Sequence, residues 1–268
     1  MVTPAGLTLA ILQARVSSTR LPGKVLRPIL GRPMLARQIE RLTRSRLINK
    51  LLVATSVEPD DDQIERLCDE MGIACFRGSL SDVLDRFYQA AMPYNPDLIV
   101  RLTGDCPLAD PELIDRGIEF IQKKHYDYVS NVNPRTYPIG LDMEVFLFAA
   151  LTQAWQEAKL PSEREHVTPY IRNHPDLFSI GNLAGSADLS FHRWTVDEPA
   201  DFEFAEKMYQ SLYPTNPAFT TSDILQLLAK HPELTSINYH IAHGAGYLKS
   251  LREDDKFLSA QEKKDSNR

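Results

Sequence analysis

Cysteine is nearly absent from this chain: Cys68, Cys75 and Cys106 are all it carries in 268 residues. Three thiols make neither an even set nor a C-x-x-C pair, which excludes a disulfide framework and leaves no structural zinc motif. They are expected as free thiols. An excess of positive charge is also missing. The formal net charge is −6, the wrong sign for a general nucleic-acid binder, whose affinity rests on clustered phosphate neutralisation. No apolar run reaches the length of a membrane span. Leu7 to Leu12 is too short for the core of a signal peptide, and no basic region precedes it. The expectation is a cytoplasmic protein that binds neither nucleic acid nor membrane. No Ser or Cys sits in a nucleophile elbow, so a covalent enzyme intermediate is not suggested. His240 and His243 have i, i+3 spacing but no third ligand nearby, which argues against zinc.

What is present is an alternation of short apolar strands and helical patterns, the signature of a mostly parallel α/β sheet. At 43% apolar and 25% charged, the chain can bury one sizeable core. Strands are expected at Thr8 to Ala14, Lys50 to Thr55, Ile73 to Arg77, Leu98 to Thr103 and Tyr126 to Asn131. Helices are expected at Met34 to Arg44, Asp61 to Met71 and Ser81 to Ala91, the last capped by Ser81. Asp110-Pro111-Glu112 supplies an N-cap, a first-turn proline and an early acid for another helix. Residues 132–190 break the alternation and read as an inserted lobe, with a helix near Ala149 to Ala158 and a strand near Phe178 to Leu183. Phe191 to Val196 is expected to return to the sheet, before helices at Pro199 to Tyr209 and Ser222 to Lys230. One main domain, residues 1–235, is expected, followed by an extension over 236–268. From Lys249 to Arg268 that extension is dense in charge and poor in large apolar residues, so partly flexible.

The first strand runs straight into a loop with three cations, Arg15, Arg20 and Lys24, and three hydroxyls, Ser17, Ser18 and Thr19. Side-chain donors and a bendable Gly23 at a sheet edge suit a polyanion. Phosphoryl and nucleotidyl transfer need cations where charge develops on non-bridging oxygens and on the departing group. Arginine forks onto two oxygens, while lysine acts as a point charge. A second cluster, Arg101-Leu-Thr-Gly-Asp105-Cys-Pro, ends an apolar strand on a carboxylate at the edge where ligands of open α/β sheets bind. Mg²⁺ needs only one or two carboxylates beside substrate phosphates, so Asp105 is a metal candidate as well as a possible turn residue. Cys106 is too soft to compete. Arg193-Trp-Thr-Val-Asp197-Glu-Pro repeats the design. Asp201 competes with Asp197 but falls in a first helical turn, where an acid complements the helix dipole.

Ala14-Arg15, Ser18-Thr19-Arg20-Leu21-Pro22-Gly23-Lys24 and Gly31-Arg32-Pro33-Met34 together resemble the N-terminal signature of the cytidylyltransferases that make CMP-activated acidic sugars. The spore coat polysaccharide biosynthesis branch matches best, and the resemblance runs from Thr8 to Thr235. It implies a three-layer αβα fold with a doubly wound, Rossmann-like sheet, CTP as the nucleoside triphosphate, an acidic or phosphorylated sugar as acceptor, and a homodimer. It also implies Mg²⁺ on Asp105 and Asp197. Arg15, Arg20 and Lys24 then become the catalytic cations, and Ser17 and Ala14 lie along the phosphates. The pyrimidine would rest against Arg77, Gly78, Ser79 and the backbone of Leu12 and Gln13. Gln13 stands where the 3-deoxy-manno-octulosonate and sialate branches usually carry proline, which argues against those two sugars.

Acceptor recognition is expected in the inserted lobe. Tyr137, Asp142 and Glu144 follow one another around a turn, and the two acids, two residues apart, would share a face in a strand. Arg164 and His166 suit a carboxylate or phosphate, whereas Glu165 is equally a capping-box partner of Ser162. The expected chemistry is in-line attack of an acceptor oxygen on the α-phosphorus of the triphosphate. A nucleotide-sugar-dependent glycosyltransferase and a non-catalytic nucleotide-binding protein are the alternatives.

Overall fold

In the computed structural model, residues 6–241, 250 and 253–259 are described. The chain begins with β1 (Thr8–Gln13), whose alternate side chains enter opposite cores: Leu9 and Ile11 face one side of the sheet, Ala10 and Leu12 the other. A two-residue ribbon, β2 (Pro28–Ile29) with β3 (Arg32–Pro33), leads into α1 (Met34–Leu42). Then come β4 (Lys50–Ser56), α2 (Asp62–Met71), β5 (Ala74–Gly78), α3 (Val83–Ala91) and β6 (Leu98–Thr103). Asp110 caps α4 (Pro111–Lys124) as its sequence predicts, accepting from the amides of Glu112 at 2.9 Å and Leu113 at 3.2 Å. The cap of α3 differs from expectation. Asp82 rather than Ser81 accepts from the Asp85 amide, at 2.9 Å, because Ser79 Oγ already holds the Asp82 amide and turns it into the capping position.

Residues 132–190 carry two further strands of the same sheet. After β7 (Tyr128–Ser130), β8 (Glu144–Leu147) runs back between β6 and β7, and β9 (Ile180–Asn182) lies outside β7. The seven strands are ordered β5-β4-β1-β6-β8-β7-β9, with β8 alone antiparallel to its neighbours. Between β8 and β9 lie α5 (Phe148–Glu157), α6 (Pro161–His166) and α7 (Pro169–Asn173); α8 (Pro199–Leu212) and α9 (Thr221–Lys230) follow. Helices α3, α5 and α7 cover one face, and α1, α2, α4, α8 and α9 the other. This gives the three layers. Side chains such as Phe87, Leu151, Ile118 and Phe204 are almost wholly buried between them, each worth about 1.5–3 kcal/mol of transfer free energy.

The segment expected as a strand over Phe191 to Val196 forms none. Its one β-bridge joins Ile139 to Arg193, and it crosses the carboxyl edge of the sheet instead of lying in it. Gly140, at φ 101°, makes this crossing possible: a Cβ there would come within 2.4 Å of the Thr195 amide nitrogen. The expectation of a flexible tail from Lys249 to Arg268 lies largely outside the described residues, as does His243. Ser250 and Asp254, which are described, are buried against α6. No helix among the described residues is long and apolar enough to cross a membrane.

Candidate active site

The carboxyl edge of the sheet collects the polar chemistry. Gly23, at φ 69°, turns the loop after β1 so that Lys24 begins a short 3-10 turn anchored by buried Val25. The loop is tied down from outside as well: the Val16 amide donates to Asp61 Oδ1 at 2.7 Å, and the Gly23 amide to the Val16 carbonyl at 3.1 Å. Lys24 Nζ then reaches across the edge. It donates to the Val196 carbonyl at 2.7 Å and to Asp197 Oδ1 at 3.0 Å, and lies 3.6 Å from Asp105 Oδ2. Arg20 approaches the same Asp197 Oδ1 at 3.0 Å and Glu198 at 3.7 Å.

Both aspartates are held by their own segments. The amide of Val196 donates to the Asp105 carbonyl at 2.7 Å, which stitches the two edge segments together. Gly104 sits so close to β1 that a Cβ would meet Ala14 Cβ at 3.0 Å. Asp201 has the structural part. Fully buried, it accepts two bonds from Arg193 at 2.8 Å each, and its Oδ2 accepts the amides of Asp197 and Glu198 at 3.0 Å. Asp201 therefore sets the turn that presents Asp197.

Burial works against the Lys24 ammonium, but Asp105 and Asp197 outweigh it and its pKa is raised. Burial likewise opposes ionisation of Asp105. The facing Lys24 and the bonds from Thr103 and Cys106 prevail, leaving its carboxyl below the usual range. The Cys106 thiol is pushed far up by burial and by Asp105, which keeps it protonated beside that carboxylate. No group of three or more His, Cys, Asp or Glu side chains converges among the described residues. Two hard carboxylates at the mouth of a polar cavity, with room for substrate oxygens, fit Mg²⁺, which takes few protein ligands when phosphates are present.

Two adjoining cavities open from this point. One, of about 260 Å³, is lined by Asp105, Asp197, Arg193, Thr195 and Gly140. The other, of about 250 Å³, is lined by Arg101, Arg172, Glu144, His166 and Thr168. Thr103, Arg135 and Asp142 belong to both. Arg135 grips Asp142 with both guanidinium nitrogens, and Glu144 takes an ion pair from Arg101 and bonds of 2.5 Å from Tyr128 and Thr168. Asp142 lies just before β8 and Glu144 opens it, so a turn followed by a strand start brings both to one cavity wall.

Other expected residues lie outside the lining of these two cavities. Arg15 and Ser17 are exposed at the end of β1, and Leu12 and Ala14 bury their side chains, which leaves only their backbone available. Gln13 Oε1 is buried without a hydrogen-bond partner among the described residues. Arg77 is tied to α2 through Asp62 at 2.6 Å and Glu65 at 2.9 Å, and Ser79 and Gly78 form the turn into α3. Arg164 faces Asp82 at 2.6 Å and the Trp155 carbonyl at 2.9 Å. Tyr137 accepts from Arg116 at 3.0 Å. Glu165 does not cap α6: Glu163 does, accepting from Lys159 and Leu160 amides at 3.0 Å, because the helix starts at Pro161.

Arg101, Arg135, Arg172, Asp61 and Arg86 carry no expectation from sequence. Arg101 had a visible signal, since it sits two residues before Thr103 in β6 and so shares its face. Arg86 is buried, donates to the Ser79 carbonyl at 2.7 Å, and is pushed down to about 10 by burial and the charge of Arg15. Nothing local marks it off from a surface arginine of α3.

The sequence profile of the cytidylyltransferases matches residues 9–236, a span that holds the cationic loop and both aspartates. The chain belongs to this family. As a cytidylyltransferase it is a nucleotidyltransferase enzyme. It is 40% identical over 235 residues to an uncharacterised protein of Methanocaldococcus jannaschii, covering 87% of this chain and 95% of that one. It is 37% identical over 234 residues to the spore coat polysaccharide biosynthesis protein SpsF of Bacillus subtilis, covering 84% and 95%. Among solved structures, a cytidylyltransferase from Leptospira borgpetersenii superposes with a TM-score of 0.82 at 32% identity, over 88% of this chain and 99% of that one.

Proposed function

We propose that this cytidylyltransferase joins CMP, taken from CTP, to an acidic or phosphorylated sugar and releases pyrophosphate, in the cytoplasm, for surface polysaccharide synthesis. The observation that carries the reading is one ammonium, Lys24, held between Asp105 and Asp197 at a cavity that adjoins an arginine-rich one. A triphosphate laid along the loop after β1 meets Arg15, Arg20 and Ser17, with its α-phosphoryl group at Lys24. Gln13, Gly78 and Ser79 face the base; Arg86 braces that turn from behind through the Ser79 carbonyl, and Arg77 ties the end of β5 to the Ser56 carbonyl of β4. The acceptor occupies the cavity of Arg101, Arg135 and Arg172, whose positive charge suits a carboxylate or phosphate.

An acceptor oxygen attacks the α-phosphorus in line, the bond to the β-phosphate oxygen breaks, and pyrophosphate leaves. Lys24 stabilises the charge that develops on the α-phosphoryl oxygens, and Arg20 that on the leaving group. Mg²⁺, when held by Asp105 and Asp197, would neutralise phosphate charge at the same place. The spore coat relative supports the polysaccharide context. Ile180 on edge strand β9, together with exposed Leu177 and Phe191, supports the expected homodimer, which sedimentation measures directly.

The test is to incubate the protein with Mg²⁺, each of the four nucleoside triphosphates and a panel of acidic and phosphorylated sugars. Pyrophosphate is assayed and products are identified by mass. CMP-sugar formed from CTP alone is the expected result. Hydrolysis or binding without any sugar conjugate would refute it.

A further inference from the structure

The family match ends at residue 236, yet a residue beyond it touches the wall of the second cavity. Ser250 and Asp254 are buried against α6. Asp254 Oδ1 accepts from the Ser162 amide at 2.8 Å, in the first turn of that helix. Ser250 Oγ donates to Glu165 Oε2 at 2.8 Å and lies 2.8 Å from His166 Nε2. A serine hydroxyl has one proton and two lone pairs. With the proton committed to the Glu165 carboxylate, Oγ can only accept from the imidazole, so Nε2 must carry the hydrogen. His166 lines the cavity beside Arg101, Arg172 and Glu144.

We propose that Ser250, supplied by the C-terminal segment, is a positioning residue: it holds His166 in its Nε2-protonated form at the acceptor cavity by linking it to Glu165. The inference rests on the reading of that cavity as the acceptor site. Burial keeps the imidazole pKa below its ordinary value, although Glu165 opposes this, which agrees with a neutral ring whose tautomer is set by its partner. Through this link a segment outside the part shared with the family acts on acceptor binding without touching the nucleotide loop.

The experiment uses the full chain labelled with ¹⁵N-histidine and reads the imidazole nitrogens of His166 by long-range ¹H–¹⁵N spectra. The wild type is expected to show the Nε2-protonated form. Ser250→Ala is expected to give a mixture of tautomers, and Ser250→Thr, which keeps the hydroxyl, to restore the single form. Glu165→Ala, at a half-exposed position, frees the same hydroxyl and gives the mixture should Ser250→Ala fail to fold. In turnover with CTP and the acceptor identified by the panel, Ser250→Ala should raise the acceptor KM about fivefold, the scale of one hydrogen bond, and leave the CTP KM unchanged. His166 signals unmoved in both Ser250→Ala and Glu165→Ala, or equally moved in Ser250→Thr, would overturn the proposal. If no sugar is turned over, the acceptor reading fails, while the spectra still decide whether Ser250 holds the ring.

Discussion

Lys24 Nζ lies 3.0 Å from Asp197 Oδ1 and donates to the neighbouring Val196 carbonyl at 2.7 Å, across a sequence separation of 173 residues. The contact joins the loop after β1 to the segment that crosses the sheet edge. Asp105, 3.6 Å away, completes a group in which one cation faces two anions. Such a group is poised to exchange partners. A phosphate oxygen can take the ammonium, and a divalent cation the carboxylates, without either charge losing a counterion.

Replacing Lys24 by Ala should slow turnover by about 10²-fold or more, the usual cost of removing one donor aimed at developing charge. Lys24→Arg should not restore it, since a planar fork cannot occupy the place of a compact ammonium between two carboxylates. Pre-steady-state formation of the CMP product measures both variants. A normal rate in Lys24→Ala would remove this residue from the chemistry.

Removing divalent metal with EDTA should abolish turnover, and Mg²⁺ should restore it. Asp105→Asn and Asp197→Asn should each raise the Mg²⁺ concentration for half-maximal rate by at least about tenfold, since even supporting residues of a metal site matter on that scale. Titration of activity against Mg²⁺ reads the shift. Unchanged curves in both variants would place the metal elsewhere.

Asp201 and Asp197 should separate stability from activity. Asp201→Asn strips buried Arg193 of its two-point carboxylate partner, while Asp197 Oδ2 stays at 3.3 Å, so the cost should be about 3 kcal/mol, the lower end for breaking a buried ion pair. Its urea midpoint should fall sharply. Asp197 keeps more of its side chain in solvent and shares Lys24 with Asp105 and Arg193 with Asp201, so its change to Asn should lower the midpoint clearly less. Chemical denaturation of the two variants side by side decides it.

Much of this arrangement was legible in the sequence wherever local chemistry and position coincide. A strand ending in Thr103-Gly104-Asp105, and a loop with Arg20 and Lys24 after β1, each state both their place and their charge. β8 was harder to see. Only Val145, Phe146 and Leu147 of its four residues are apolar; they pass into α5 without a polar break, and so short a run does not distinguish strand from helix. The crossing segment at Phe191 to Val196 was misleading for a related reason: its apolar residues pack under the sheet edge through Trp194 and Val196, so burial imitates a strand. Arg101 and Arg135 find their carboxylates at Glu144 and Asp142 only after β8 has been threaded between β6 and β7.

Glu144 gives a pH dependence whose sign follows from its surroundings. Burial alone would raise its pKa. Arg101 and Arg172, with bonds from Thr168 and Tyr128, overcome burial and hold the carboxyl below its ordinary value of 4.5. The folded state therefore binds fewer protons than the unfolded chain as the pH nears that value. The stability this group contributes is complete above pH 4.5 and is lost as the pH falls through the lower folded-state pKa. At pH 7, Glu144→Gln should be destabilised by about 3 kcal/mol, the lower end for breaking a buried charge pair. Below the folded pKa, wild-type Glu144 is itself neutral and close to glutamine in shape and hydrogen bonding. Urea midpoints of the two proteins, measured from pH 7 downwards, should converge in acid, with the variant following the flatter curve. Parallel curves would mean that Arg101 does not depend on this carboxylate for its place in the cavity wall.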